Sequence, residues 1–398
     1  MHHKHFIDAA LKSRFYQEKL AGQHFDNWLE IPCTTKTELR NADAFDLIGT
    51  ALDQIATYHE TSGTTGTPTP SWFSHKDVDQ EANVVLNSSL QLNEKDLVLN
   101  RFPFAMAIPS FIFYWAAARV GAGHIAVDKA SMVTPDRRVV EIIERTNPSI
   151  LTMLPSEAEK LYEVGKQMDV LLPNPNLRAL VLAGELVTPS RKKYLENVWG
   201  VPVYLLFGST ETGGLFMSCE NGHYHVNHAN AFIESVDKNG KPAQEGLKGN
   251  CVISTAREGM PLLRYANQDI IELRAGSTCD CGQTEPIMIH YGRKDDVIQL
   301  ADGREVTFYD LQEAVYSLKN IPFMWKVKVF TEHVQFIFQY TTRTKPSRKS
   351  LEDEILTKLG LAAEVVFTDI FPLQKLTEKP SYAKYTHIEW ETKEPVFI

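Results

Sequence analysis

The pattern of hydrophobic and polar positions predicts a helix-covered sheet in the first half of the chain. Between residues 96 and 206, short and nearly continuous apolar runs alternate with helix-like segments. Such runs are typical of parallel strands buried on both faces, and their alternation with helices predicts an α/β fold. The predicted strands are 96–100, 123–127, 149–154, 177–183 and 201–206. The predicted helices between them include 137–145 and 189–198.

Residues 102–123 combine aromatic and small side chains and end in Gly121-Ala-Gly123. We predict that most of this stretch is a buried helix and that part of it lines an apolar ligand pocket. The aromatic residues that carry this prediction are Phe104, Phe111, Phe113, Tyr114 and Trp115.

The pattern changes near residue 230 and again near residue 294. Short strands at 231–236, 250–254 and 270–273 predict a β-rich subdomain. A helix at 308–317 and alternating strands at 327–330 and 334–339 predict a smaller α+β lobe. The predicted domains are therefore a large N-terminal domain, residues 1–293, and a C-terminal domain, residues 294–398. The first 50 residues are polar and helical in pattern, with a helix cap at Thr35-Lys-Thr-Glu38.

Composition excludes several classes of function. The 398 residues are 43% hydrophobic and 23% charged, which is typical of a soluble globular protein. A net charge of −9 argues against a nucleic-acid binder with a basic surface. No apolar run approaches the roughly 20 residues of a membrane helix, and the N-terminus lacks the apolar core of a signal peptide. We expect a cytoplasmic protein, either a monomer or a homodimer, that binds neither nucleic acid nor membrane.

A Ser/Thr/Gly-rich stretch is the first candidate for chemistry. Glycine lets the backbone approach a ligand closely, and hydroxyl groups add hydrogen-bond donors, so such a stretch can cradle phosphate oxygens. It does not fit the common NTPase pattern, and an ordinary polar turn is the alternative. Its residues are Thr61, Ser62, Gly63, Thr64, Thr65 and Gly66.

Four further motifs follow in order: 207–214 (FGSTETGG), 259–269 (GMPLLRYANQD), 291–298 (YGRKDDVI) and 376–380 (LTEKP). With the loop at 61–66, they resemble the adenylate-forming superfamily of acyl-CoA synthetases, peptide-synthetase adenylation domains and luciferases. The resemblance covers essentially the whole chain. It is nearest to the phenylacetate–CoA ligase branch, whose members carry Thr, as at Thr69 here, where most of the superfamily has Lys.

The resemblance implies the chemistry and the roles of residues. A carboxylate attacks the α-phosphate of ATP, and donors, Mg²⁺ and positioning stabilise the charge that develops. Residues 61–66 would hold the β- and γ-phosphates, Thr210 would contact the α-phosphate, and Glu211 would ligate Mg²⁺. Ala183, Gly184, Glu185 and Phe207 would border the adenine and the acyl group. Asp269 would bind the ribose hydroxyls, assisted by Arg293.

The resemblance also implies a mobile C-terminal domain. Asp295 matches the hinge about which that domain rotates between the two half-reactions, and Gly303 would let the thiol's pantetheine arm approach. Lys379 would contact the acyl and phosphate oxygens during adenylation. Glu378 precedes this lysine where the family has Gly, and Lys375 and Lys384 lie nearby.

The cysteines suggest a metal site. Five cysteines are an odd number, which does not indicate a disulfide framework. Cys219, His225, Cys279 and Cys281 have the donor chemistry of a structural, tetrahedral Zn²⁺ site, with His223 as the rival ligand. Some relatives in the branch carry such a site between the same two motifs, and unligated cysteines are the alternative.

The sequence therefore predicts an ATP-dependent enzyme that converts a carboxylic acid into an acyl-adenylate and passes the acyl group to a thiol. CoA is the default acceptor, and the phosphopantetheine of a carrier protein is the alternative. The aromatic stretch at 102–115 favours an aryl or apolar acid. A non-catalytic nucleotide-binding homologue is a second alternative, motivated by Thr69 and by the irregular Glu378-Lys379 pair.

Overall fold

The computed structural model describes residues 3–61, 67–227, 231–274, 279–342, 345–369 and 385–391. Its helices are α1 (Lys4–Ala10), α2 (Arg14–Lys19), α3 (Lys36–Asn41), α4 (His75–Leu86), α5 (Ile108–Val120), α6 (Asp136–Thr146), α7 (Pro155–Gln167), α8 (Pro189–Trp199), α9 (Phe308–Tyr316) and α10 (Arg348–Leu359). Its strands are β1 (Thr34–Thr35), β2 (Ile55–Glu60), β3 (Pro70–Ser74), β4 (Leu97–Asn100), β5 (Gly123–Ala126), β6 (Ile150–Met153), β7 (Ala179–Ala183), β8 (Val203–Ser209), β9 (Gly213–Met217), β10 (Tyr224–His225), β11 (Ala231–Val236), β12 (Gly249–Thr255), β13 (Leu262–Arg274), β14 (Ile287–Arg293), β15 (Ile298–Gln299), β16 (Glu305–Val306), β17 (Met324–Val329), β18 (Val334–Gln339), β19 (Ala363–Phe367) and β20 (Ile388–Trp390).

The predicted parallel sheet is confirmed. Its strand order is β5-β4-β6-β7-β8-β9. The strands from β5 to β8 are parallel, and β9 is an antiparallel edge strand. Successive residues of β7 point to opposite faces. Ala179 and Val181 join the core beneath α4 and α5, whereas Leu180 and Leu182 join the core beneath α6, α7 and α8. Because both faces are covered, the strands read as continuous apolar runs.

Helix α5 confirms the buried helix predicted within residues 102–123, but it begins at Ile108. Pro109 occupies its first turn, where proline is tolerated, and Gly121 ends it in the left-handed region at φ +76°. Ile112, Phe113, Ala116 and Ala117 of this helix are buried.

A second sheet lies beside the first, in the order β10-β14-β13-β12-β11, with β1 added in parallel to β13. It confirms the predicted β-rich subdomain. Strand β13 is much longer than the predicted 270–273, because its first half is covered by the N-terminal segment. Leu263 packs with Phe6 and Tyr16 of α1 and α2, and Tyr265 packs with Leu39 of α3.

The C-terminal part forms a four-stranded sheet, β19-β18-β17-β20, with α9 and α10. Its helix α9 contacts the N-terminus of α8. The Thr188 N–H donates to Gln312 Oε1 (2.9 Å), and the Ser190 N–H donates to Glu313 Oε2 (3.0 Å). These side chains satisfy N–H groups that have no partner within α8 itself. Among the described helices, none combines the length and the apolar character needed to cross a bilayer.

Candidate active site

The predicted phosphate loop connects the two strands of a hairpin that the sequence pattern did not reveal. Strands β2 and β3 pair as far as Glu60 and Pro70. Beyond this pair, the Thr61 N–H donates to the Thr69 carbonyl (3.1 Å), and the Thr69 N–H donates to Thr61 Oγ1 (2.8 Å). The residues on either side of the loop, Thr61 and Thr69, are therefore hydrogen-bonded to each other. Ser62, Gly63, Thr64, Thr65 and Gly66 lie outside the described residues.

The turn after β8 carries Thr210 and Glu211 at the carboxyl end of the parallel sheet, where open α/β sheets bind ligands. The Glu211 side chain is 4% exposed and its Oε1 has two partners. Lys36 Nζ lies 2.9 Å away, and the Tyr265 hydroxyl donates to it at 3.1 Å. Burial favours a higher pKa for Glu211, but the Lys36 ammonium outweighs it and lowers the pKa below its usual value. Glu211 is therefore a buried carboxylate that stays charged.

Buried groups hold this turn from behind. Arg257 donates from Nη2 to the Glu211 carbonyl (2.6 Å) and to Ser71 Oγ (3.1 Å). Glu81 of α4 accepts a hydrogen bond from the Gly214 N–H (2.7 Å), and burial raises the pKa of this carboxyl to about 8. Gly213 has φ +75°, and a Cβ there would lie 2.0 Å from Glu81 Oε1, so a larger residue does not fit.

Asp269 and Arg293 are directly opposite each other on β13 and β14. Arg293 Nη1 and His290 Nε2 each lie 3.4 Å from Asp269 Oδ1, and Asn267 Nδ2 donates to Oδ2 (2.8 Å). Burial opposes ionisation of Asp269, but His290 and Arg293 lower its pKa below the usual value. The site thus holds a second charged carboxylate, four residues along β13 from the tyrosine that contacts Glu211.

The residues predicted to border the adenine lie at the ends of the neighbouring strands β7 and β8. Gly184 follows β7 with φ +85°, and Phe207 in β8 contacts the rings of Tyr224 (5.6 Å) and His290 (5.4 Å). The Glu185 carboxylate accepts from the Ser156 N–H at the start of α7 (3.0 Å) and lies 3.4 Å from Arg191 Nη2. In this structure the Glu185 side chain therefore holds α7 and α8 together at the rim of the site.

The predicted metal ligands come together. One donor atom each from Cys219, His225, Cys279 and Cys281 lies within 4.8 Å of the other three. His225 Nδ1 lies 3.3 Å from the Glu285 carbonyl oxygen, which can only accept, and its Nε2 lies 3.3 Å from Cys281 Sγ. His223 is outside this group, although its Nδ1 lies 3.2 Å from Cys279 Sγ.

The electrostatics of the group suit a metal. Burial acts to raise the pKa of Cys279, but hydrogen bonds led by Asn221, with Cys281 and His223, lower it to about 5. Burial raises the pKa of Cys219 to about 12. Cys279 is therefore the thiol most readily available as a thiolate, the form that binds zinc. Burial also raises the pKa of Cys281, so metal binding would displace the protons of Cys219 and Cys281.

The remaining predicted residues lie apart from these contacts. Asp295 is exposed in a 3₁₀ turn (Lys294–Asp296) between β14 and β15. Gly303 is exposed, with φ +85°, in the turn between β15 and β16. Lys379 lies outside the described residues, as do Lys375 and Lys384.

Comparison with known proteins identifies the family. The family described as AMP-binding enzyme matches residues 13–257, which is more than half of the chain. The chain belongs to the AMP-binding enzyme family. The resemblance to adenylate-forming enzymes is thereby confirmed, and the match contains Thr210, Glu211 and both ends of the phosphate loop.

Phenylacetate–coenzyme A ligases are similar to this AMP-binding enzyme. The protein from Thermus thermophilus is 30% identical over 298 residues, which cover 72% of this chain and 64% of the relative. The protein from Escherichia coli is 24% identical over 330 residues, which cover 78% of this chain and 72% of the relative. The crystal structure of 2-hydroxyisobutyryl-CoA ligase in the postadenylation state with 2-HIB-AMP has TM-score 0.81 at 18% identity. It covers 99% of this chain and 86% of that one, which confirms the predicted fold.

Several site residues escaped the sequence analysis. The sequence placed Lys36 only in a helix cap. Tyr265 lies within the motif at 259–269 and His290 immediately precedes the motif at 291–298, but neither was given a role. Glu81 and Arg257 had no signal, because Glu81 is 133 residues from its partner Gly214 and Arg257 is 46 residues from Glu211.

Proposed function

We propose that the protein is an ATP-dependent acid–thiol ligase that forms an acyl-adenylate and then transfers the acyl group to CoA. The observation that carries this proposal is the geometry of β13 in a chain of this family. Its Tyr265 holds Glu211 at the predicted phosphate end, and its Asp269 lies four residues along at the predicted ribose end. The phenylacetate–coenzyme A ligases and the bound acyl-AMP of the structural neighbour support the same two-step chemistry.

Each step is a displacement. A carboxylate oxygen of the acid attacks the α-phosphorus, and the bond to the β-phosphate oxygen breaks to release pyrophosphate. The thiol sulfur then attacks the acyl carbon, its proton is lost, and AMP leaves with the bridging oxygen. In both steps negative charge grows on oxygen, so positioned donors and cations supply most of the catalysis.

The described residues have the chemistry that the nucleotide needs. Glu211 is a charged, buried carboxylate, the kind of ligand that Mg²⁺ prefers, and Mg²⁺ would neutralise phosphate charge when bound there. Thr210, the preceding residue, would donate to the α-phosphate. Asp269, positioned by Arg293, has acceptor oxygens for ribose hydroxyls. Thr61 and the loop to Gly66 would supply donors to the β- and γ-phosphates.

An aryl or otherwise apolar acid fits the surroundings of the loop. Phe111 contacts the rings of Phe104 (5.7 Å), Trp115 (5.9 Å) and His59 (5.1 Å). His59 is in β2, two residues before Thr61, and burial lowers its pKa to about 4, so it is neutral at physiological pH. Through His59 the aromatic stretch lies close to Thr61, the first residue of the predicted phosphate loop, and this proximity supports an aryl or apolar acid.

ATP–pyrophosphate exchange across aryl, fatty and amino acids tests the proposal. We expect exchange with an aryl or apolar acid, and thioester formation when CoA is added. A carrier protein replacing CoA as the efficient acceptor would reassign the second step. Measurable ATP binding with no exchange for any acid would overturn the proposal in favour of a non-catalytic homologue.

We propose that Lys379 acts in the first half-reaction. A lysine ammonium is a compact, mobile charge that can reach the acyl and phosphate oxygens. Lys379→Ala is expected to lower exchange at least ~10-fold, while thioester formation from supplied acyl-adenylate changes less. Lys375→Ala is the matched control. A greater loss in thioester formation would show that another residue serves adenylation.

We also propose that residues 294–398 form a domain that rotates about Asp295 between the half-reactions. Asp295 is exposed in a short turn between two strands, the kind of position that can absorb a change in backbone dihedrals. In the adjoining turn, no atom of the described residues, chain neighbours apart, lies within 4 Å of where a Cβ on Gly303 would be. That open surface would let a pantetheine arm approach.

We propose that Cys219, His225, Cys279 and Cys281 bind one structural Zn²⁺, because four protein donors leave no position open for catalysis. Protein purified without chelator is expected to contain about one zinc per chain, and Cys281→Ser is expected to lose it. Cys33→Ser, which alters a cysteine outside the group, is the control. Elemental analysis that finds less than about 0.3 zinc per chain would contradict the proposal.

A further inference from the structure

The predicted phosphate loop has no basic residue of its own. Between Arg40 and Lys76 the sequence contains neither lysine nor arginine, and this interval includes the whole loop and both strands of its hairpin. A triphosphate carries several negative charges, and backbone donors alone leave much of that charge unbalanced. Apart from Mg²⁺, any cation that balances this charge would come from another part of the fold.

Helix α3 places two cations against the site. Lys36 and Arg40 are four residues apart, so they lie on one face of the helix. Lys36 Nζ is 2.9 Å from Glu211 Oε1, and Arg40 Nε donates to Thr69 Oγ1 at 3.3 Å. Side chains from one turn of α3 thus contact both Glu211, the predicted Mg²⁺ ligand, and Thr69, which follows the phosphate loop.

The start of α3 is fixed rigidly. Strand β1, which leads directly into it, pairs Thr34 with Tyr265 and Thr35 with Ala266. Thr34 Oγ1 donates to the Leu263 carbonyl (2.8 Å), and Thr35 and Glu38 form a capping box at the helix N-terminus. Because the same β13 carries Asp269, the N-terminal segment and the nucleotide site are positioned by one strand.

Arg257 is a second cation at the turn that carries Glu211, but it occupies a different position from Lys36. Arg257 contacts Glu211 only through its backbone carbonyl, and its side chain is buried behind the turn against the ring of Phe73 (4.1 Å). Lys36 instead retains 18% of its side-chain exposure and has a flexible stem. Arg257 therefore supports the backbone, whereas Lys36 is able to turn toward a ligand.

We propose that Lys36 and Arg40 bind the β- and γ-phosphates of ATP and supply the positive charge that the loop lacks. This inference rests on the proposed function for the identity of the ligand. In this structure the Lys36 ammonium neutralises Glu211. With ATP bound, its three donors serve phosphate oxygens, and the planar guanidinium of Arg40 binds them from the loop side.

Equilibrium binding of a non-hydrolysable ATP analogue and of AMP tests this inference without any acid or turnover. Lys36→Met and Arg40→Met are each expected to weaken analogue binding at least ~10-fold and AMP binding by less than ~3-fold, since AMP lacks both phosphates. Lys36→Arg, which keeps the charge, is expected to retain most of the affinity. Lys76→Met, which removes an exposed lysine paired with Glu258 (2.7 Å), is the matched control.

Equal losses for the two nucleotides, or no loss, in variants that melt like wild type would overturn the inference. If Lys36→Met does not fold, Lys36→Arg is compared with Lys36→Gln instead. The deciding quantity is again the loss of analogue affinity relative to the loss of AMP affinity. Wild-type protein that binds the analogue but exchanges pyrophosphate with no acid would refute the proposed function and leave this comparison intact. Wild-type protein that binds neither nucleotide would overturn both.

Discussion

Glu211→Gln lowers ATP–pyrophosphate exchange at least ~10²-fold, because it removes a metal ligand that is charged in the folded protein. Glutamine has nearly the same shape, so Tyr265 retains an acceptor and the turn keeps its position. The change removes the negative charge that Lys36 balances in the wild-type protein. The loss is expected in kcat/KM for MgATP at saturating acid.

Two companion variants make the result specific to the carboxylate. Glu211→Asp keeps the charge on a shorter side chain and is expected to retain more activity than Glu211→Gln. Glu94→Gln alters an exposed carboxylate and is expected to behave like wild type. Near-normal exchange by Glu211→Gln, with an unchanged melting temperature, would discredit the role of Glu211.

Asp269→Ala also lowers exchange at least ~10²-fold, through loss of the ribose contact. The Asp269 carboxylate is held by Asn267, His290 and Arg293, so its two oxygens are already oriented for two hydroxyls. Its removal also leaves the Arg293 guanidinium without this partner. The principal measurement is kcat/KM for ATP, with Asp53→Ala, a change at an exposed acid, as the control.

A substrate lacking one hydroxyl isolates the ribose contact. Wild type is expected to prefer ATP to 2′-deoxy-ATP. Asp269→Asn is expected to reduce that preference, because the side chain loses one of the two oxygens that accept hydrogen bonds from the ribose hydroxyls. An unchanged preference in a folded Asp269→Asn variant would place the ribose elsewhere.

The sequence pattern predicted the central sheet well, because its strands are buried on both faces. Strands β7 and β8 are continuous apolar runs that pair in parallel, so the segments that follow them lie at one edge of the sheet. The β2–β3 hairpin was missed, because its mixed sequence, Ile55–Glu60, shows neither strict alternation nor a continuous apolar run. The first half of β13 was missed since its burial depends on α1, α2 and α3, which are more than 200 residues away.

The site was predicted as separate motifs, and the contacts between them were beyond sequence reasoning. Lys36 occurs in a local pattern that indicates a helix cap, and that pattern was correct as far as it went. Its contact with Glu211 joins residue 36 to residue 211, so no local spacing points to it. The same holds for Glu81. Its partner, the Gly214 N–H, is distant in sequence, so the sequence of α4 alone does not indicate the contact.

The measurement that tests the central claim most directly follows oxygen from the acid into AMP. The acid that gives the highest exchange is labelled with oxygen-18 in its carboxylate and incubated with ATP, Mg²⁺ and CoA, and the AMP is examined by mass spectrometry. Attack of the carboxylate on the α-phosphorus predicts that each AMP carries one labelled oxygen. Unlabelled AMP, or label found instead in inorganic phosphate, would contradict an acyl-adenylate intermediate.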